Sequence, residues 1–220
     1  MENNLDAKFT RRGFLEATAK ILAAGAVFSI APSLAYAATE DKVKPVKFKM
    51  PKIKKFVPLH ELPIGKINLE FTSDMDVRET TTAIVVHHAG MTRDEDLDVP
   101  TIHDMHLGNG WAGIGYHFVV HKDGFIEHGR PIYYAGAHAY QHNKYTVGIC
   151  MTGNFEIGVP TQEQALATEQ LVAALCKRYR IKPSRQTILG HRDLNDTLCP
   201  GENFYVHMPE LVRNVKRAIS

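Results

Sequence analysis

The chain has 220 residues, of which 44% are apolar, 23% are charged and 9% are aromatic. This composition excludes a wholly disordered chain, a collagen-like repeat and a disulfide-dense miniature scaffold, and the length fits one domain of roughly 150 residues with additional chain. The formal net charge of +2 is too small to indicate a nucleic-acid partner, because binding a row of phosphates needs a basic excess. We therefore expect one globular domain that does not bind nucleic acid.

Residues 1–37 have the layout of an export signal. A polar stretch contains Arg11-Arg12 followed by Gly13-Phe14-Leu15, and residues 21–37 are apolar and uncharged up to Ala35-Tyr36-Ala37. The pattern resembles a twin-arginine signal peptide cleaved after Ala37, and the apolar run is too short to predict a transmembrane span. A helix of the mature domain is disfavoured, because the run has no polar face. The sequence predicts twin-arginine export to the periplasm or the exterior.

Residues 38–79 are predicted to form a basic linker or N-terminal arm. Lysines interleave with prolines there, and proline discourages regular helix. Two interpretations stay open: a solvated extension packed loosely on the domain, or an arm that holds the protein to an anionic wall or membrane surface. The residues concerned are Lys42, Lys44, Lys47, Lys49, Lys52, Lys54, Lys55, Pro45, Pro51, Pro58 and Pro63.

From Thr80 onward, β-branched and apolar runs predict strands. The first run delivers His87 and His88 at its carboxyl end, where catalytic residues often lie. The second and third runs flank Lys122-Asp123-Gly124, and an Asp-Gly pair in that position indicates a hairpin. The predicted strands span 80–86, 115–121, 125–128, 146–152 and 187–189.

Three helices are predicted between and after these strands. Asp98 and Pro100 are typical of a helix start, and Thr161 with Gln164 fits a capping box. The predicted helices span 98–108, 161–180 and 208–219. Because strands and helices alternate irregularly, the fold class is predicted as α/β: a single domain, residues 80–220, with a central mixed β-sheet packed by α-helices.

Histidine and cysteine near strand ends are candidates for a metal site. A zinc enzyme uses about three protein ligands and leaves one position for water. Neighbouring residues of a strand face opposite sides of the sheet, so only one of His87 and His88 can serve. Cys199 lies eight residues after His191, and the intervening loop can bring both to one ion, although this spacing alone does not exclude coincidence.

Four histidine-containing segments carry a more specific pattern. They are Ile84-Val85-Val86-His87-His88, Gly113-Ile114-Gly115-Tyr116-His117-Phe118, Gly136-Ala137-His138, and Gly190-His191-Arg192-Asp193 with Cys199-Pro200-Gly201. Together they resemble the zinc N-acetylmuramoyl-L-alanine amidases, in the branch shared by phage lysozyme-type amidases and peptidoglycan-recognition proteins. The resemblance covers residues 80–220 and implies an amidase domain with the fold of that family.

The resemblance also implies the roles of single residues. Tyr116 would stabilise the oxyanion or relay a proton, with Thr197 as a second donor. Lys144 would pair with a carboxylate of the stem peptide. The implied set is zinc ligands His87, His191 and Cys199, catalytic residues Tyr116 and Thr197, and substrate-binding residues His138 and Lys144.

The implied reaction is hydrolysis of the amide between the lactyl group of N-acetylmuramic acid and L-alanine of the stem peptide. Zn²⁺ is the implied cofactor, and peptidoglycan or muropeptides are the implied partners. A different function, a non-catalytic peptidoglycan-binding or sensing module on the same fold, stays open, since fold does not determine function. A structural zinc domain is disfavoured, because such sites normally use four protein ligands and three are matched here.

The remaining cysteines and the tryptophan are expected to be structural. Three cysteines cannot all pair within the chain, and a metal-bound Cys199 accounts for the odd one. Cys150 on a predicted strand and Cys176 on a predicted helix fit buried apolar positions, and a disulfide between them after export is the alternative. Trp111 is interpreted as a packing residue rather than a platform for sugar.

Overall fold

A six-stranded mixed β-sheet lies at the centre of the protein. The computed structural model describes residues 48–220, which form one compact unit. The strands are β1 (Ile64–Gly65), β2 (Ala83–His88), β3 (Phe118–Val120), β4 (Ile126–His128), β5 (Thr146–Met151) and β6 (Ile188–Gly190). Their order in the sheet is β1-β4-β3-β5-β2-β6, and all neighbours are parallel except the β3–β4 pair. The predicted α/β fold with a mixed sheet is confirmed.

The two long central strands are mostly apolar because both of their faces are covered. Every residue of β2 and β5 is buried, which is typical of parallel strands between two layers. The antiparallel pair is the predicted hairpin, and its turn is closed by the Gly124 amide, which donates to the His121 carbonyl at 2.9 Å. Asp123 Oδ1 accepts from the Phe125 amide at 2.8 Å, so the Asp-Gly pair has the turn role predicted for it.

In the described part of the chain, four helices pack on the sheet or beside it. They are α1 (Val99–Gly108), α2 (Gln162–Tyr179), α3 (Glu202–Tyr205) and α4 (Met208–Ile219). The Asp98 side chain caps α1 by accepting from the Thr101 amide at 2.8 Å, and Thr161 Oγ1 caps α2 by accepting from the Gln164 amide at 3.0 Å. These contacts satisfy amides that have no partner within the helix. The three predicted helices are confirmed, and none of the helices in the described residues is long and apolar enough to cross a membrane.

The core has two parts, one on each face of the sheet. Strand residues such as Val86 and Ile149 pack with α2 and α4 in the larger cluster, whereas Val119 and Cys150 pack with α1 in the smaller one. Cys176 belongs to the larger cluster, and both cysteines are free and buried. The predicted buried positions are thus confirmed, and the sheet separates Cys150 from Cys176.

The N-terminal segment from residue 48 to residue 79 differs from its prediction. Met50 is 1% exposed in the larger cluster, and β1 pairs with β4 to extend the sheet. The carbonyl of Pro51 also accepts from Asn214 Nδ2 of α4 at 2.8 Å. The residues that pack against the two clusters are Phe48, Ile53, Phe56, Leu59, Leu62, Ile64, Ile67, Leu69 and Phe71.

The prediction of a loosely attached linker is therefore wrong for residues 48–79. The lysine count concealed apolar side chains that recur every two or three residues between positions 48 and 71. Burying these side chains stabilises the segment on the domain. The predicted export signal and the first residues of the predicted arm lie outside the described residues.

A buried carboxyl joins α2 to α4. Glu169 is fully buried, and its Oε1 accepts from Asn214 Nδ2 at 2.7 Å, while Oε2 has no partner among the described residues. The pKa of Glu169 is raised to about 7, mainly by burial and to a smaller extent by the neighbouring Glu210, while the Asn214 hydrogen bond and Arg217 partly oppose the rise. The folded state therefore prefers the protonated carboxyl.

We expect Glu169→Gln to remove part of the pH dependence of stability. In the native chain the contribution of protonated Glu169 is complete below the unfolded pKa, and it disappears as pH rises through about 7. From this pKa shift, the free energy of unfolding should fall by about 3 kcal/mol between pH 5 and pH 8 at Glu169 alone. The variant should match the native chain at pH 5 and exceed it at pH 8.

Denaturant unfolding at both pH values measures this difference. Glu163→Gln, at an exposed position of the same helix, serves as the matched control and should keep the native pH dependence. Equal pH dependence in Glu169→Gln and the native chain would show that the carboxyl is ionised in the folded protein throughout this range.

Candidate metal centre and groove

Three potential metal ligands meet at one edge of the sheet. His87 lies at the carboxyl end of β2, His191 begins the 3₁₀ turn His191–Asp193 directly after β6, and Cys199 lies in the loop before α3. One donor atom from each residue lies within 4.8 Å of the other two. The cluster forms because β2 and β6 are parallel neighbours, so their carboxyl ends reach the same edge.

The Cys199 loop is held against the sheet by backbone contacts. Its carbonyl accepts from the Arg192 amide at 2.9 Å, and its Sγ accepts from the His88 amide at 3.4 Å. Gly201 has φ of 86°, and a Cβ at that position would lie 2.4 Å from the carbonyl carbon of Phe155. Only glycine fits this close approach, which keeps the loop near the end of β5.

The donor set suits zinc. His87 Nε2 lies 3.0 Å from His138 Nδ1, and His191 Nε2 lies 3.1 Å from Asn195 Oδ1. The Nδ1 atom of each ligand histidine is therefore left for a metal, and His87 Nδ1 is 3.6 Å from Cys199 Sγ. Two imidazoles and one cysteine sulfur are typical zinc donors, and three protein ligands leave the fourth position of a catalytic site open.

Burial favours the uncharged form of each donor. It lowers the pKa of His87 well below its usual value, with a further contribution from neighbouring His138, and it lowers that of His191 as well. Burial also raises the pKa of the Cys199 thiol to about 12. The imidazoles thus keep their lone pairs, while the thiol becomes a thiolate only when a cation replaces its proton.

Only one of the two neighbouring histidines of β2 reaches the cluster. His88 faces the other side of the sheet, where its Nδ1 accepts from the Phe155 amide at 3.0 Å. Burial, followed by the nearby Arg192 charge, lowers the pKa of His88 to about 4. The alternation predicted from the strand therefore separates a candidate ligand from a residue that anchors a loop.

Tyr116 and Thr197 border the same cavity as the metal cluster. The Tyr116 ring centroid lies 5.1 Å from that of His87, and burial raises the pKa of Tyr116 well above its usual value, so its hydroxyl keeps the proton. Thr197 Oγ1 accepts from the Cys199 amide at 3.2 Å. Neither hydroxyl donates to an acceptor within the described residues, which leaves both protons available to a ligand.

Three adjoining cavities form a groove that begins at the metal cluster. The first, of about 580 Å³, shares His191 and Thr197 with a second of about 560 Å³. The second shares Trp111 and Tyr140 with a third of about 590 Å³. An extended ligand can therefore follow one continuous surface away from the metal cluster.

The structure corrects the predicted role of His138. Its side chain borders the second cavity but is only 6% exposed, and its two ring nitrogens face His87 Nε2 and Thr146 Oγ1. A substrate would need free polar atoms on this ring. Sequence could not reveal this, because the contact joins residues 51 positions apart.

Lys144 borders the third cavity with a side chain that is 77% exposed, and its Nζ lies 3.1 Å from Asp76 Oδ2. Its binding of a stem-peptide carboxylate stays a prediction. Asp76 belongs to the N-terminal segment that was expected to be a linker, and it adds an acidic group to this end of the groove.

Three residues that border the groove were not predicted to do so. Trp111, interpreted as a packing residue, is 41% exposed and borders two cavities, as does Tyr140 at 76% exposed. The aromatic contact of Trp111 is with His106, at a centroid distance of 4.7 Å. Asn195 contacts His191, and its spacing of four residues was the one signal available.

Comparisons with known proteins agree on one family. The family model described as N-acetylmuramoyl-L-alanine amidase matches residues 77–202. An endolysin of Klebsiella phage KP32 is 29% identical over 124 residues, covering 56% of this chain and 82% of the endolysin. Peptidoglycan-recognition protein LB of Drosophila melanogaster is 33% identical over 132 residues, covering 57% of this chain and 56% of the relative.

Solved structures give the same result. N-acetylmuramoyl-L-alanine amidase LysC from Clostridium intestinale URNW superposes with a TM-score of 0.62 at 32% identity, covering 68% of this chain and 97% of LysC. A mutant of Drosophila PGRP-LB in complex with tracheal cytotoxin superposes with a TM-score of 0.55 at 28% identity, covering 61% of this chain and 84% of that protein.

We expect the cluster to bind Co²⁺ through the sulfur of Cys199. Titration should produce a sulfur-to-cobalt charge-transfer band that is absent in Cys199→Ser, because an alcohol oxygen is a harder and weaker ligand than a thiolate. Absorption spectroscopy measures the band. The control Cys176→Ala removes a free thiol from the larger core cluster and should keep the charge-transfer band. A band that persists in Cys199→Ser would place the metal elsewhere.

Proposed function

Because the chain belongs to the N-acetylmuramoyl-L-alanine amidase family, we propose that it is a zinc-dependent enzyme acting on peptidoglycan or muropeptides. It hydrolyses the amide between the lactyl group of N-acetylmuramic acid and L-alanine of the stem peptide. The observation that carries the proposal is the cluster of His87, His191 and Cys199 at the beginning of the groove. Three ligands in an accessible cavity favour a catalytic site over a closed structural one.

His87, His191 and Cys199 would hold the zinc, which would supply Lewis-acid chemistry to the scissile amide and lower the pKa of water at the site. The protein itself keeps the three ligand side chains uncharged and holds their donor atoms close together. The strands β2 and β6 provide rigid positions for the two histidines, and backbone contacts of Cys199 fix the third donor. Rigid elements preserve the geometry that a catalytic site requires.

Tyr116 and Thr197 supply hydrogen bonds to the reacting group. Hydrolysis of an amide develops negative charge on the carbonyl oxygen, and donors aimed at that oxygen stabilise the transition state. The Tyr116 hydroxyl remains protonated because of burial, and the Thr197 hydroxyl accepts from Cys199 while keeping its own proton. Both therefore act as donors rather than as bases, and Tyr116 passes a proton only if another group accepts it.

The groove beyond the cluster receives the stem peptide. Trp111 and Tyr140 present exposed aromatic surface along it, and aromatic rings provide contact area at a small entropic cost. Lys144 and Asp76 at the far end offer one charge of each sign. The complex of a PGRP-LB mutant with tracheal cytotoxin supports a muropeptide as the ligand class.

The recognition-protein relatives favour a second candidate function, which is binding of peptidoglycan without hydrolysis. The two functions share a groove and differ in the reacting centre. A binding module needs no metal cluster and no unused hydroxyl donors beside it. This chain has both, so we favour the enzyme.

The experiment is incubation of the mature protein, residues 38–220, with purified peptidoglycan, followed by product identification. We expect free stem peptides with a new N-terminal alanine, their loss with a zinc chelator and their return with zinc. Tyr116→Phe should keep zinc and lose about 10²–10³-fold in turnover, as for removal of one oxyanion donor.

Tyr133→Phe is the matched control, because Tyr133 is exposed outside the three cavities, and it should retain full turnover. Retention of zinc-loaded protein on the wall without release of any stem peptide would establish the binding module instead. Full turnover in Tyr116→Phe would remove this hydroxyl from the mechanism.

We also propose that residues 1–37 direct export by the twin-arginine route to the periplasm or the exterior, where peptidoglycan is found. The support is the Arg11-Arg12 pair ahead of an uncharged apolar run. Fractionation of cells that express the full chain should recover processed protein outside the cytoplasm. Replacement of both arginines by lysine should leave an unprocessed precursor inside, whereas Lys8→Ala should not; unchanged export of the double variant would exclude this route.

A further inference from the structure

His138 lies directly behind a candidate zinc ligand and uses both of its ring nitrogens there. Its Nδ1 is 3.0 Å from His87 Nε2, and its Nε2 is 3.4 Å from Thr146 Oγ1. We infer that His138 is a positioning residue, which accepts the Nε2 proton of His87 and so reserves the His87 Nδ1 lone pair for the metal. The inference rests on the proposed zinc site but concerns metal binding rather than hydrolysis.

The direction of the hydrogen bonds follows from a backbone carbonyl. Thr146 Oγ1 lies 2.7 Å from the carbonyl oxygen of His142. A carbonyl can only accept, so the single hydroxyl proton of Thr146 is donated to it. The Thr146 oxygen can then only accept from His138, which places a proton on His138 Nε2.

The same reasoning continues to the ligand. A neutral imidazole carries one proton, so protonation at Nε2 leaves His138 Nδ1 as an acceptor. His138 is buried and no carboxylate contacts it within the described residues, so the neutral form is the one that this geometry accommodates. Among the described residues, the group within hydrogen-bond distance of His138 Nδ1 is His87 Nε2. That nitrogen must therefore carry the His87 proton, and His87 Nδ1 is left unprotonated beside Cys199.

Independent packing holds the His138 ring in this orientation. A Cβ at Gly136 would lie 2.3 Å from His138 Cδ2, and one at Gly148 would lie 2.4 Å from the same atom. Two chain segments therefore leave room for this imidazole by having no side chain. The backbone on either side is fixed as well, because Asn143 Oδ1 accepts from the amides of His138 and Ala139 at 2.9 and 3.0 Å.

The hydrogen bond between His87 and His138 affects the free energy of metal binding. In the tautomer protonated at Nδ1, His87 would carry its proton on the nitrogen that binds the metal. It could not bind a metal until that proton moved. Hydrogen bonds that a ligand histidine donates to such partners orient its ring and raise its basicity, and removal of the partner typically weakens metal binding about 10–100-fold. A side chain that merely fills space at residue 138 would have no such effect.

The test compares His138→Leu with His138→Asn in the full mature protein. Zinc affinity is measured by competition with a chromophoric chelator. We expect His138→Leu to lose about 10–100-fold in zinc affinity, whereas His138→Asn, whose Oδ1 can accept near the position of Nδ1, should retain most of it. His128→Leu, at a half-buried histidine of β4 away from the cluster, should bind zinc normally.

A second pair of variants tests whether the Thr146 hydroxyl sets the tautomers of His138 and His87. Thr146→Val removes the hydroxyl at constant shape and should weaken zinc binding, while Thr146→Ser preserves the hydroxyl and should not. Thermal unfolding of each zinc-free variant separates lost folding from lost ligand alignment. Zinc affinity that is unchanged in folded His138→Leu would overturn the inference.

Nitrogen NMR of the zinc-free native protein gives a readout that does not depend on either affinity or activity. We expect His87 to carry its proton on Nε2 in the native chain and to populate both tautomers in His138→Leu. A native His87 protonated at Nδ1 would also overturn the inference. Failure of the native protein to bind zinc at all is a different result, because it would contradict the proposed metal site itself.

Discussion

Parallel pairing of β2 with both β5 and β6 is the constraint on which the candidate site depends. It brings the carboxyl ends of the strands to one edge of the sheet, so that His87 and the turn beginning at His191 lie side by side. Cys199 is then added by a loop whose position depends on the same edge. No local sequence signal encodes this meeting, since residues 87 and 191 approach only once the sheet has formed.

Burial is the second physical influence, and it acts on several groups in the same direction. Charged forms are costly away from water, so the histidines around the cluster remain neutral and Tyr116 remains protonated. Neutral imidazoles bind metals, and a protonated phenol donates a hydrogen bond. The site thus obtains its protonation states mainly from packing, and the carboxylate of Glu156, which borders the same cavity, is paired with Arg192 Nη2 at 3.2 Å.

Local sequence patterns predicted the helices, strands and turns well, but they predicted contacts between distant residues poorly. The caps at Asp98 and Thr161, the Asp-Gly turn and the apolar strands each depend on neighbours in the chain, and all were predicted. The alternation of a strand also separated His87 from His88. The family resemblance supplied the pairing of His191 with Cys199, which spacing alone left open.

The errors have a common origin. His138 was assigned to substrate because a motif gives a residue's position and not the direction in which its polar atoms point. Residues 48–79 were assigned to a linker because the lysine count hid the apolar residues between them. Trp111 was assigned to the core because an aromatic residue has no local signal that distinguishes a wall of a groove from a packed interior.

The packing of the N-terminal segment changes where this domain begins. The family match starts at residue 77, but β1 lies before it and covers the outer edge of β4. A chain cut at the family boundary would present unpaired backbone groups along β4 and bare apolar surface where Met50 had been. Unprotected strand edges promote self-association between chains, so the extension shields the amidase region from contacts between copies as well as completing its sheet.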